Sequence, residues 1–268
     1  MINKTNILSK TLLALALTGA SAFATAQSAT GPNKVYIEQV GNSNTVTIEQ
    51  VGGTNSVGGT ATTAATSISA SGITTVLPSA ASSTNYGTIT GSSNTLTMTQ
   101  TGNGNTAQYN IQGSNNVYTS TVAGHNNLTS LTIGDANNAL NLRNTVTETI
   151  SGDDNMILQN IVGNDITSTI LMTGDLNQVT KELKSTNGIS DITITGDSNV
   201  LNIQQIDASG ANGHNLKQVI AGSFNSITTQ QQGTNDTTVD IRATGSNNTI
   251  TVRTSSSAIV GSATAIVR

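Results

Sequence analysis

A Gly-x-x-Asn quartet recurs along this chain, over long stretches at intervals of eleven residues. It opens at Gly41, Gly52, Gly91, Gly102, Gly113, Gly124, Gly134, Gly152, Gly174, Gly196, Gly222 and Gly245. Gly163 and Gly233 keep the beat, with Ile166 and Asp236 where Asn would stand. A fixed short period describes a stack of like units, each too small to bury a core alone.

The residues between the quartets alternate. After Gly41, the positions Asn44, Val46, Ile48 and Gln50 fall on one side of an extended chain, and Thr45, Thr47, Glu49 and Val51 on the other. Two aliphatics bracketed by two carboxamides suit an interior; Thr and Glu suit a solvated face. Asn94, Leu96, Met98 and Gln100 repeat the register, as do Asn199, Leu201, Ile203 and Gln205, and Asn225, Ile227, Thr229 and Gln231. Asn105, Ala107, Tyr109 and Ile111 end on an aliphatic instead.

Each half-repeat of eleven therefore supplies one strand, and two make a coil of about twenty-two residues. The expected fold is all-β: a β-solenoid of stacked strand-turn-strand repeats, cross-β-like at about 4.8 Å per layer. About nine coils would rise on the order of 45 Å. Glycine serves the turns because it accepts positive φ, and Asn tolerates it. Buried carboxamides are expected to form ladders, each N–H meeting the carbonyl of its copy in the next coil. A one-residue slip would turn them outward, so they also fix register.

Composition bounds the rest. The N-terminus reads as an export leader: Lys4 and Lys10, an apolar run from Thr11 to Ala24, and the small-x-small site Ala24-Thr25-Ala26. Cleavage after Ala26 takes the net charge from −4 to −6, which excludes a basic nucleic-acid binder. The apolar run is too short for the roughly twenty residues that span a bilayer. With no Cys, disulfide and thiolate chemistry are both absent. The expected organisation is a leader over 1–26, a flexible segment over 27–34, the solenoid over 35–254, and a tail or final strand over 255–268. Within the solenoid, 56–86 is irregular and rich in Ala, Ser and Thr: an exposed insertion, or a degenerate pair of repeats.

The run Gln39-Val40-Gly41-Asn42-Ser43-Asn44-Thr45-Val46-Thr47-Ile48-Glu49-Gln50 resembles the curlin repeat, Gln-x-Gly-x-x-Asn followed six residues later by Gln. Gln100-Thr101-Gly102-Asn103-Gly104-Asn105 carries most of it again, and the Asn-to-Gln spacing returns at Asn94–Gln100, Asn199–Gln205 and Asn225–Gln231. The second Gln is replaced by an aliphatic in many units, as at Ile111, Val122, Ile161, Met172 and Ile220, which marks a divergent relative. The resemblance implies a secreted subunit of a bacterial surface amyloid: a curli-like fimbria serving cell adhesion and biofilm matrix. It assigns the self-assembly ladder to Asn44, Gln50, Asn94, Gln100, Asn199, Gln205, Asn225 and Gln231. The partners it implies are further copies of the chain, a nucleating curlin-like subunit and an outer-membrane secretion pore.

Other chemistry is weakly signalled. Asp135, Asp153, Asp154, Asp175 and Asp197 sit in turns, where calcium binding competes with plain turn hydrogen bonding; the latter is the favoured reading. The calcium-roll pattern Gly-Gly-x-Gly-x-Asp does not occur. His125 and His214 occupy Gly-His-Asn turns without a second ligand at metal spacing. No catalytic, cofactor or metal motif emerges, so an enzyme is not expected. The alternative to a fibre is a monomeric solenoid with a Thr-rich ligand-binding face, as an ice binder or surface adhesin. Its candidates are the Thr-x-Thr pairs at Thr45/Thr47, Thr95/Thr97/Thr99, Thr119/Thr121 and Thr249/Thr251. These are expected to shift between sheets and to be broken by charges such as Glu49. A carbohydrate-active β-helix would need paired carboxylates and aromatic platforms, which four Tyr, two Phe and no Trp do not supply.

Overall fold

The computed structural model describes residues 13–17, 20–27, 31–59, 67–69, 72–74, 86–134, 142–184, 188–206, 215–232, 237–253 and 261–267. Every regular element among them is a strand, and the expected β-solenoid is present. Strands alternate between two parallel sheets as the chain winds. The first sheet stacks Thr45–Val51, Thr95–Thr101, Val117–Ala123, Thr145–Ser151, Thr167–Thr173, Ile189–Thr195, Asn215–Ala221 and Thr237–Thr244. The second stacks Thr106–Gln112, Leu128–Ile133, Met156–Val162, Gln178–Lys184, Ile203–Ile206, Ser226–Gln232 and Thr249–Arg253. Among the described residues no helix is long and apolar enough to cross a membrane.

The pairing is in register. Leu96 aligns with Val46 on one side and Tyr118 on the other, and Met98 with Ile48 and Ser120. The alternation puts Val46, Ile48, Leu96 and Met98 in the core between the sheets, beside Tyr109, Ile111, Leu131 and Ile133 from the second sheet. In the first sheet the Thr and Glu positions remain open, as expected. In the second sheet they do not: Gln108, Ser130, Leu158 and Thr180, on the side away from the core, are also buried. Alternation fixes which way a residue points; it does not fix whether that side meets water.

The chain's margins depart from the regular repeats. Residues 56–86 are not degenerate repeats. Ser56–Val57 aligns with Thr106–Ala107, and Thr88–Thr90 with Asn110–Gln112, so one strand is split and the extra chain leaves and returns within it. The part of it in Ser67–Ser69 and Gly72–Thr74 pairs antiparallel, unlike any repeat. Within 27–34, expected as a flexible segment, Gln27 lies in a strand, Asn33 donates to the Gly52 carbonyl, and Lys34–Val35 pairs with Ser56–Val57, while 28–30 lie outside the described residues. The shortened Gly31-Pro32-Asn33 hid this turn. In the uncleaved chain Ser21–Ala26 of the expected leader pairs in parallel with Thr45–Gln50. Finally, Gly261–Val267 is a strand paired with Thr237–Ala243, the second of the two readings for the C-terminal residues.

Candidate functional site

The site is built from turns. In each fully described quartet the glycine has positive φ, the third residue is left-handed, and Asn closes the turn; at Gly124-His125-Asn126-Asn127 the values are 134° for Gly124 and 55° for Asn126. Glycine is required twice over. A Cβ on Gly124 would stand 1.9 Å from the carbonyl oxygen of Gly152 in the next coil.

That close approach aims the asparagine. On the edge where the chain passes from the first sheet to the second, nine residues form one column: Asn33, Asn55, Asn105, Asn127, Asn155, Asn177, Asn199, Asn225 and Asn248. Each Oδ1 but the last accepts the backbone N–H of the next Asn at 2.9–3.0 Å. Each Nδ2 but the last donates to the glycine carbonyl of the next coil at 2.7–3.1 Å. The expected ladder is thus corrected in kind. Its principal bonds join carboxamide to backbone, with amide-to-amide contacts such as Asn127 Nδ2 to Asn105 Oδ1 (3.0 Å) as additions. A backbone partner is held by the turn itself, so the geometry survives whatever the neighbouring side chain does.

The opposite edge carries a shorter column. Asn44, Asn94, Asn116 and Asn144 repeat the same bonding, and Asn144 Oδ1 accepts from the N–H of Ile166, which has no carboxamide to continue. Asn144 was missed in the sequence because Gly134 points instead to Asn137, which lies outside the described residues. No protein-family model matches this chain, and no curated protein matches it.

The eight ladder candidates therefore divide. Asn44 and Asn94 belong to the short column; Asn199 and Asn225 to the long one. Gln50 and Gln100 form a pair, Gln50 Nε2 donating to Gln100 Oε1 at 2.8 Å, but the next position in that sheet is Val122. Gln205 and Gln231 align with each other in the second sheet, behind Leu183, and their side chains lie outside the description. The glutamines make two separate pairs rather than a ladder. After Gln100 the first sheet carries Val122, Ile150, Met172, Ile194, Ile220 and Ala243 on that line, and before Gln205 the second carries Ile111, Ile133, Ile161 and Leu183.

Turn acidic residues have a structural use. Asp153 N–H donates to Asp175 Oδ1 at 2.7 Å, Asp175 N–H to Asp197 Oδ1 at 2.9 Å, and His125 N–H to Asp153 Oδ1 at 2.7 Å. His125 accepts in turn from Asn103 N–H at 3.1 Å through Nδ1. This outer column runs antiparallel to the inner one: its N–H groups point up the stack and the inner ones down. Among the described residues no three His, Asp or Glu side chains converge as a metal site. Asp135 and His214 lie outside the described residues.

One interior feature escaped the sequence reading. Glu148 and Lys181 stand at inward register, where other coils place Met98 and Tyr109, and both are fully buried. Tyr118 Oη donates to Glu148 Oε2 at 2.6 Å and Gln159 Nε2 to Glu148 Oε1. Ser168 Oγ joins Gln159 Oε1 at 3.0 Å to Lys181 Nζ, which donates to Ser168. Burial raises the Glu148 carboxyl to about 7 and lowers the Lys181 ammonium to about 7, desolvation outweighing the attraction between them. The signal was available: a charge at an even position between Val146 and Ile150 breaks the inward pattern.

Proposed function

We propose that this chain is the structural subunit of an extracellular, curli-like amyloid fibre that grows end to end by stacking coils. The carrying observation is how the long column stops. Asn248 is half-buried where Asn225 is buried. Its Nδ2 keeps a 3.4 Å bond to Thr244 O, of the kind that Asn55 and Asn105 also make within their own coils, without their bond to a glycine carbonyl of a next coil. Among the described residues no carbonyl stands within reach of a Cβ added to Gly245, whereas Gly222 has the Gly245 oxygen at 1.9 Å. The seat is shaped for one more Gly-x-x-Asn turn. A second copy filling it would satisfy the carboxamide together with the edge of Thr249–Arg253 that is left open among the described residues.

The curlin resemblance and the leader-like N-terminus support secretion, adhesion and biofilm matrix as the setting, with a nucleating subunit and a secretion pore as further partners. Growth by edge repair needs no cofactor. The test is to incubate residues 27–268 and record fibre diffraction. The reading expects a meridional reflection near about 4.8 Å and slower elongation in Asn248→Ala. A product that stays monomeric at high concentration rejects it.

A further inference from the structure

We propose that the outer face of the first sheet binds ice, its ligand being an ordered layer of water. This goes beyond polymerisation and does not depend on it. The pairing register places Thr47, Thr97, Thr119, Thr147 and Thr169 in one unbroken rank across five successive coils. Beside it Thr99, Thr121 and Thr149 make a second rank. All eight are exposed or half-buried. The expected shift between sheets holds for one of the pairs singled out: Thr249/Thr251 lies in the second sheet, the others in the first.

Strand geometry sets the lattice. Neighbours along the stack repeat at about 4.8 Å, and alternate residues along a strand at about 6.7 Å. These lie near the repeat distances of hexagonal ice on its prism faces. Threonine is stiff at χ1, so hydroxyls and methyls hold their places without a large ordering cost. Charges, which orient water radially, border the block and do not enter it: Glu49 precedes Thr99 in one rank and Asp191 follows Thr169 in the other.

Two comparisons separate this from ordinary strand propensity and from other ligands. Propensity alone would place Thr equally on both sheets. The matching outer rank of the second sheet reads Gln108, Ser130, Leu158 and Thr180, all buried, and continues in the open through Asn202, Thr228 and Thr251. No described outer rank of the second sheet holds more than two successive threonines, against five and three on the first. A polysaccharide would ask for aromatic platforms, and the exposed aromatic Phe224 sits in a turn, away from this face.

The experiment uses freshly purified monomer of residues 27–268, measuring thermal hysteresis and uptake into a slowly growing ice front. Wild type and Thr249→Lys, a control on the other sheet, are expected to show both. Thr147→Lys, at the centre of the block, loses more than half of each. Thr121→Tyr, a good strand former, gives the same loss through bulk and guards against misfolding of the lysine variant. Wild-type monomer excluded from ice, or block variants equal to wild type, overturns the proposal. Fibre formation is scored in parallel. Fibres from a monomer that ice excludes reject only the ice face, and ice uptake by a chain that never polymerises rejects only the fibre.

Discussion

The two edges of the stack obey different rules. Along the edge leading from the first sheet to the second, every turn from Gly52 to Asn248 keeps four residues, and the carboxamide column is unbroken. Along the other, Ser114 aligns with Leu142, six residues beyond the regular twenty-two, and the column ends at Ile166. Four more residues enter between Ile206 and Asn215, since Ile189 aligns with Asn215 at a separation of twenty-six. The split strand at Val57 and Gly87 also opens on the second sheet. One edge carries register and the other absorbs extra chain. A stack needs only one inextensible spine, because a coil fixed at one end and paired along both strands cannot slip.

The most damaging way to break the spine is through its glycines. Gly124→Ala combines φ of 134° with a Cβ 1.9 Å from the Gly152 oxygen, so coils must part. A loss of about 4 kcal/mol or more is expected, read from urea midpoints. Gly245→Ala meets open space and only the φ penalty, about 1 kcal/mol. Equal losses would mean that stacking is not what the glycines serve.

The interior network sharpens the comparison, because it begins in the coil where the short column gives out: Glu148 follows Asn144, and Ser168 and Lys181 follow Ile166. Lys181→Met is expected to cost about 3 kcal/mol by leaving Glu148 buried without its cation, while Glu148→Leu with Lys181→Met is expected near neutral. The pH dependence has a definite sign. Glu148 is raised from 4.5 to about 7, so the folded state binds the extra proton and its stability falls as pH rises through that window. Lys181 is lowered from 10.5 to about 7, so stability falls as pH drops from 10.5 towards 7. Glu148→Gln should leave only the alkaline branch in a thermal melt series, and Lys181→Met only the acidic one.

Next in size is the carboxamide. Asn127→Ala strands the Asn155 N–H and the Gly152 carbonyl and should cost about 2 kcal/mol. One glycine inserted after Asn126 should cost as much or more, because it lengthens a spine turn. The same insertion after Asn138, among the extra residues of the other edge, should cost less than about 1 kcal/mol. If both insertions were equally harmful, the division between a spine and a tolerant edge would fail.

Much of this was legible in the residues. The period gave coils, the alternation gave Val46, Ile48, Leu96 and Met98 as core, and the Gly-x-x-Asn quartet located most of the long column. What escaped follows from physics that a period does not encode. Asn33 and Asn144 join columns through turns whose glycine is misplaced or followed by extra chain, so the motif fails while the backbone position survives. Which sheet a half-repeat enters depends on counting turns through the split strand, and that count decided the Thr ranks. The burial of Gln108 and Thr180 depends on surroundings, not on strand phase.

The smallest effect tests the feature on which the curlin resemblance leans most. Gln50 and Gln100 share one bond at 2.8 Å, Gln100 Nε2 reaches Ser56 O only at 3.4 Å, and Gln50 Oε1 is buried without a partner. A pair so poorly satisfied gains little over an apolar pair of the same shape. The sheet already makes that exchange at Val122, Ile150 and Met172, which continue the same line. Gln50→Leu with Gln100→Leu is therefore expected within about 1 kcal/mol of wild type by urea midpoint, and could be the more stable. Gln100→Leu alone should be worse than the double variant, because it orphans Gln50 Nε2. A loss from the double variant as large as that from Asn127→Ala would show that glutamine does carry register, and the distinction between column and pair would have to be given up.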